Sequence, residues 1–220
     1  MRPHAYHHGH LRSALITAAL TLVSSEGIKA LTLREVARRA GVSHAALYHH
    51  FADKAGLLAA VAEEGFRKMH EEMTVLCANA GPDPYPRLRA IGVGYVRFAA
   101  SHPAHFRVMF SPDVGSSETL QEKSRATLKL LTDGLAAFGA DEAHVAAMAV
   151  AAWSLVHGLS VLWIDGQLDF AKTDEMTIER MAEMCADVLS LGTARHVVAG
   201  KSPKRKSGRA SRPSKLKDRP

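Results

Sequence analysis

"LTLREVARRAGVSHAALYHHFADKAGLL", residues 31–58, sets two short apolar-striped segments on either side of Gly41. Thr32 followed three residues later by Glu35 is a capping-box pair, which predicts a helix opening at that threonine. Leu33, Val36, Ala37 and Ala40 form the buried stripe of that helix. Ser43 is placed to cap a second, very short helix. Asp53 is placed to cap a long one whose apolar stripe runs through Leu58, Val61, Phe66, Met69, Met73 and Leu76. Alanines at positions 37, 40 and 46 let the two short helices cross closely. That is the layout of a helix-turn-helix, in which the second helix enters a major groove and the first lies across the backbone. Short side chains at Ser43, His44 and Ala45 let the second helix approach base edges, and Tyr48 and Lys54 can reach phosphates.

Helical spacing continues in both directions, and no alternating apolar-polar run argues for a strand. Upstream, Leu11, Leu15, Ala19, Leu22 and Val23 mark one helix face, and Gly27 follows as a stop. Downstream, "NAGPDPYP" (79–86) concentrates breakers and predicts a loop. Helices are expected over about 86–101, 103–110, 118–139, 141–164 and 174–191. The fold class is therefore all-α, an N-terminal three-helix unit joined by a long helix to a helical bundle. The expected division is 1–54, 55–192 and a tail over 193–220 that is too rich in Lys, Arg, Ser, Pro and Gly to bury a core.

Charge follows the same division. Residues 1–54 carry seven Lys/Arg against three Asp/Glu, residues 55–192 eleven against eighteen, and residues 193–220 ten against one. An acidic body between basic ends points to a polyanion partner held at the ends of the chain. Cys77 and Cys185 form no CxxC motif, and the start of the chain has no apolar signal core. Two free thiols in a reducing cytoplasm is the simplest reading. "VAAMAVAAWSLVHGLSVLWI" (145–164) has no Asp, Glu, Lys or Arg and is long enough to span a bilayer. Its flanks (Asp141, Glu142, Asp165) are acidic, without the basic anchors of a membrane helix, so the centre of a soluble bundle is expected instead.

Taken together, the residues of 10–58 resemble the DNA-binding domain of the TetR family of transcriptional regulators, through "GIKALTL" before the motif and the G-V-S…L-Y-x-H-F…K…L-L pattern after it. The resemblance implies a homodimer on a near-palindromic DNA operator and a C-terminal helical domain carrying the dimer interface and a ligand pocket. Thr32, Ser43, Tyr48 and Lys54 match positions that contact phosphates in the family. His44, Ala45 and His49 match positions near base edges, and Arg34 joins the DNA-binding candidates. Ala46 departs from the pattern, since a phosphate-binding threonine is common there. In the C-terminal half, "WSLVHG" (153–158) resembles the Trp-His-Gly signature of one TetR subgroup, and "YHHGHLR" (6–12) and "HPAHFRVMF" (102–110) suit it.

Trp153 and His157 are four apart and share a helix face. They either stack in the core or line an effector pocket. The same choice stands for Phe66, Met69, Met73, Tyr95, Phe98, Phe106, Met109 and Phe110. A pocket built from these would be largely apolar with a few polar groups. The rival reading of the histidines is a metal site, but His44, His49 and His50 are spaced five and one apart and have no carboxylate or thiol nearby in sequence. Helical ligands come at i, i+3 or i+4. His7, His8 and His10 read as a solvated arm, with Arg2 and Arg12, that can lie along DNA. The expectation is a dimeric, ligand-responsive transcriptional regulator, a repressor by the family's common habit, with no cofactor, no metal, no catalysis and no membrane. A DNA-architectural protein without an effector is the alternative; an all-α enzyme lacks any Ser-His-Asp order, nucleotide loop or metal spacing to support it.

Overall fold

The computed structural model describes residues 8–173 and 176–188, with side chains from residue 11 onward. The basic tail expected over 193–220 and most of the N-terminal arm lie outside the described residues. Among the described residues every regular element is a helix: α1 (His8–Glu26), a 3-10 turn (Ile28–Ala30), α2 (Leu33–Arg39), α3 (His44–Tyr48), α4 (Lys54–Asn79), α5 (Pro84–Ser101), α6 (Pro103–Met109), α7 (Glu118–Ala136), α8 (Glu142–Ile164) and a second 3-10 turn (Asp169–Ala171). The chain is helical again over 178–188, here α9.

Side-chain caps decide where most of these helices begin. Thr32, Ser43, Asp53, Asp83, Ser117 and Asp141 each accept a hydrogen bond from a backbone N–H in the first turn of the helix that follows. Such a cap satisfies one of the N–H groups the helix leaves unpaired. The breaker-rich stretch 79–86 is a shorter loop than its composition predicts. Pro84 and Pro86 sit in the first turn of α5, where the missing N–H costs nothing. Gly27 (φ +81°) and Gly41 (φ +69°) hold left-handed backbone at the end of α1 and in the turn before α3, a region that side chains disfavour.

The capping box at α2 forms only in half. Thr32 Oγ1 accepts from Glu35 N at 3.2 Å, but the Glu35 carboxylate turns to Arg38 (2.8 and 2.6 Å) and Arg39 (2.9 Å). Arg39 also pairs with Glu26, so the cluster ties α2 to the end of α1. Hydrogen bonds from Arg38 and Arg39 hold the Glu35 carboxyl down to about 2.

α4 joins the two halves. Leu57 through Ala62 are six consecutive buried residues, because the helix is surrounded where both halves meet it. Beyond them only Gly65, Met69, Met73 and Cys77 are buried, one side chain per turn. The stripe is rotated from the expected one: Phe66 and Leu76 are only partly buried. α5, α6 and α7 pack on α4, α8 packs on α5 and α7, and α6 also touches α1. α9 is tied to α5 through Arg89–Glu183 (2.8 Å).

His105 of α6 is buried in the α4–α6 contact, between Phe98, His102, Glu64 and Lys68. Burial pushes its pKa down to about 4, with Lys68 and His102 acting in the same direction and Glu64 opposing. The folded state thus binds fewer protons at this site than the unfolded chain, and stability rises with pH across the interval. On acidification from about 6.5 to about 4, stability is therefore lost at this site. Thermal melts of His105→Gln over that range should show a weaker fall in midpoint than the wild type; an equal fall would mean His105 does not titrate this way.

Candidate functional site

α3 presents a face without any acidic group. Ser43, His44, Ala45, Tyr48 and His49 are exposed, while Leu47 is buried beneath them. The Ser43 hydroxyl accepts from Ala46 N at 3.1 Å, and its proton remains free to donate. Tyr48 is 55% exposed, with the His44 ring edge-on to it at 6.4 Å. Thr32 and Arg34 are exposed at the start of α2. The sequence-derived candidates Thr32, Arg34, Ser43, His44, Ala45, Tyr48 and His49 are thus all exposed on or around the turn. Lys54 differs. It is half-buried and its ammonium donates to Ile28 O at 3.0 Å, closing the 3-10 turn; two of its three N–H donors are uncommitted.

The second feature is a cavity of about 490 Å³ between α4, α5, α7, α8 and α9. That volume lies within the usual range for small-molecule pockets. Of the candidate lining residues, Phe66, Met69, Met73, Tyr95, Met109, Phe110 and Trp153 line it. Phe98 does not. It is fully buried and stacks on His102 at 4.9 Å, one turn beyond Tyr95 toward the C-terminal end of α5. Phe106 and His157 also stay out of it and instead line a more open cleft between the end of α1, α6 and the end of α8. Spacing had placed these three with the others because an aromatic at helical period looks the same whether it fills a core or borders a void. Sequence reading missed the contribution of α7, where Gln121, Ser124, Arg125 and Leu128 line the cavity. The apolar stripe of α7 through Leu120, Leu131 and Leu135 marks its packed side, but not which of its polar residues border a cavity.

Tyr95 connects the cavity to the cleft. Trp153 Nε1 donates to its hydroxyl at 3.2 Å, and the hydroxyl lies 2.8 Å from His157 Nδ1. The Tyr95 oxygen accepts from Trp153, and its proton can go to His157 Nδ1 in the neutral tautomer that carries its hydrogen on Nε2. Burial lowers the His157 pKa, which favours that neutral form. Burial also raises the pKa of Tyr95, keeping the phenol protonated. Among the described residues no three His, Cys, Asp or Glu side chains gather closely enough to hold one metal ion.

An uncharged recognition face held by a glycine turn, coupled through one long helix to a hollow bundle, defines a helix-turn-helix regulator of transcription rather than an enzyme. The family models agree. Residues 15–61 match the model of bacterial regulatory proteins of the tetR family, and residues 88–185 match a tetracyclin repressor-like C-terminal domain. The chain belongs to the TetR family of transcriptional regulators.

Its relatives are similar in different ways. The HTH-type transcriptional regulator BetI of Stenotrophomonas maltophilia is 36% identical over 80 residues, which is 36% of this chain and 41% of that protein. The match therefore spans about two fifths of the curated relative's length. A protein of unknown function from Rhodococcus sp. RHA1 superposes with a TM-score of 0.70 at 29% identity, covering 86% of this chain and 98% of the other. FadR from Bacillus subtilis, solved in complex with stearoyl-CoA, gives a TM-score of 0.65 over 80% of this chain and 96% of its own, at 16% identity, a likeness of fold alone.

Tyr95→Phe removes the hydroxyl and leaves both Trp153 N–H and His157 Nδ1 without their partner. The expected cost is about 1–3 kcal/mol in chemical denaturation, with a changed Trp emission spectrum. An unaltered denaturation midpoint and spectrum would mean the three side chains do not form this chain in solution.

Proposed function

We propose that the protein is a homodimeric repressor that leaves a palindromic operator when a small, largely apolar effector fills the cavity. The observation that carries this reading is the cavity itself. A bundle serving only to hold a DNA-binding unit would close its core, as an architectural protein without an effector would. Residues 1–54 act as the DNA-binding domain and 55–192 as the effector and dimerisation domain. The subgroup with the Trp-His-Gly signature is the one this chain fits, with Trp153 in the cavity wall and His157 behind it.

α6 is the mechanical link. Its last turn leads into Phe110 at the cavity, its body packs on α4, and its other side touches α1. Arg107 on α6 also pairs with Asp165 at the end of α8 at 2.7 Å. A ligand that fits one placement of Phe110 better than another shifts α6, and with it α1 and the recognition helix, by its differential affinity for the two states.

The dimer face is the outer side of α8 with α9. Val150 (62% exposed), Val161, Leu162, Met184 and Val188 are apolar and exposed. Among the described residues only α8 is apolar and long enough to cross a bilayer, yet only 22% of that window is buried within the chain. A second copy supplies the missing cover. Gly158 fits this arrangement, because a Cβ placed there meets nothing within 4 Å in its own chain. Its smallness serves a neighbour from outside.

Gly158→Leu should then dissociate the dimer in sedimentation while leaving helical content intact; a wild type that sediments as a monomer at micromolar concentration, with or without DNA, sinks the dimer. The two recognition helices of the dimer should lie about 34–36 Å apart, one DNA turn.

On DNA, His44→Ala should cost about 1–3 kcal/mol on the operator and relax preference at one base pair per half-site. Tyr48→Phe should weaken all sequences alike. Lys54→Ala should do the same, lower the salt slope by about one, and also loosen the Ile28 turn. Equal loss on operator and random DNA for His44→Ala would remove it from the base-reading set.

A further inference from the structure

We propose that the cavity selects an amphiphilic monoanion, a carboxylate on an apolar chain, and that Arg125 is the residue that recognises its charge. This rests on the effector reading above and specifies the ligand class. The wall is strongly asymmetric. Phe66, Met69, Ile91, Phe110 and Leu131 supply apolar surface from α4, α5, α7 and the end of α6. The polar groups collect at the start of α7 and the segment before it, as Ser116, Gln121, Ser124 and Arg125.

Arg125 is the only charged side chain among the described residues that line the cavity. No ion pair is seen for it among the described residues, nor for Arg87, whereas Arg67, Arg89, Arg97, Arg107 and Arg180 of the same half each meet a carboxylate. Of the two, only Arg125 borders the cavity. Its one side-chain partner is neutral: Arg125 Nη2 donates to Gln121 Oε1 at 3.1 Å. Gln121 in turn donates from Nε2 to Ser116 Oγ at 2.9 Å. The amide is thereby oriented with its oxygen toward the guanidinium, which holds the arginine in place without neutralising it. Arg125 is exposed, so it stands at the solvent-facing rim of the apolar chamber. A cation there with four N–H donors uncommitted among the described residues is complementary to the headgroup of a carboxylate whose chain lies inside, which a guanidinium grips by two parallel hydrogen bonds. The rest of residues 55–192 is net acidic, so an anion is not drawn there by the general field of the body, and the selectivity must be local to this arginine.

The test compares dodecanoate with 1-dodecanol, which share an apolar chain and differ in charge, below their aggregation concentrations. The full chain carries Trp163→Phe, so that emission reports Trp153 alone, the one other tryptophan and a cavity residue. Dodecanoate should quench or shift Trp153 emission with at least tenfold tighter binding than 1-dodecanol. Arg125→Gln should lose about tenfold for dodecanoate and nothing for 1-dodecanol, and Arg125→Lys should recover part of the loss. Equal binding of acid and alcohol to the wild type, or an acid preference that survives Arg125→Gln, overturns the anion assignment and leaves the effector cavity standing. Failure of both compounds to perturb Trp153 overturns the anion assignment and counts against the cavity as a ligand site as well.

Discussion

Everything in this fold hangs on α4 being surrounded at its N-terminal end. At 1.5 Å per residue its 26 residues reach about 39 Å. Residues 57–62, just after its first turn, are buried on all sides between the helix-turn-helix unit and α6, and the remainder shows only one side to the bundle. A helix of uniform amphipathic character would pack against one half of the protein and leave the other hinged. The run of small and aliphatic residues from Leu57 to Ala62 lets neighbours approach from every direction, and so makes the orientation of α3 answer to the bundle. Burying that run fully is worth roughly 1.5–3 kcal/mol for each of its larger side chains, which favours keeping the two halves packed together.

The polar groups near this joint are few, and each has a structural task. Lys54 closes the 3-10 turn after α1, Asp53 starts α4, and the Glu35–Arg38–Arg39–Glu26 cluster fastens α2 to α1. At the opposite end, Tyr95 links Trp153 in the cavity wall to His157 in the cleft beside α1 and α6. A ligand that displaces Trp153 or Phe110 therefore acts on groups one contact away from the DNA-binding half. No long wire of residues is needed, because α6 lies between the two.

α8 makes a different point about apolar residues. Its sequence carries no charge over twenty positions, which would suit a core helix or a membrane helix equally. In the chain it is only half a core helix: one side packs on α5 and α7, and the other stands open with small and aliphatic side chains. Apolar area of that extent left in water is costly, and in the proposed dimer a second copy covers it.

The elements and their limits were legible along the chain, because the signals that set them are local. Thr32, Ser43 and Asp53 accept from N–H groups three residues on, and Gly27 and Gly41 take a backbone angle that other residues resist. The α3 surface was legible for the same reason, since a five-residue helix anchored by Leu47 has only one face to offer. The cavity was not. Phe66 and Phe110 border it while Phe98 and Phe106, of the same type and at the same helical period, do not. Arg125 is exposed, and nothing in the spacing of its helix marks it as bordering a cavity. A void is what is left when side chains from α4, α5, α7, α8 and α9 fail to meet, and that sum over five helices exists only once they are packed. Local bonding decided where the helices are; only the tertiary arrangement decided where they leave room.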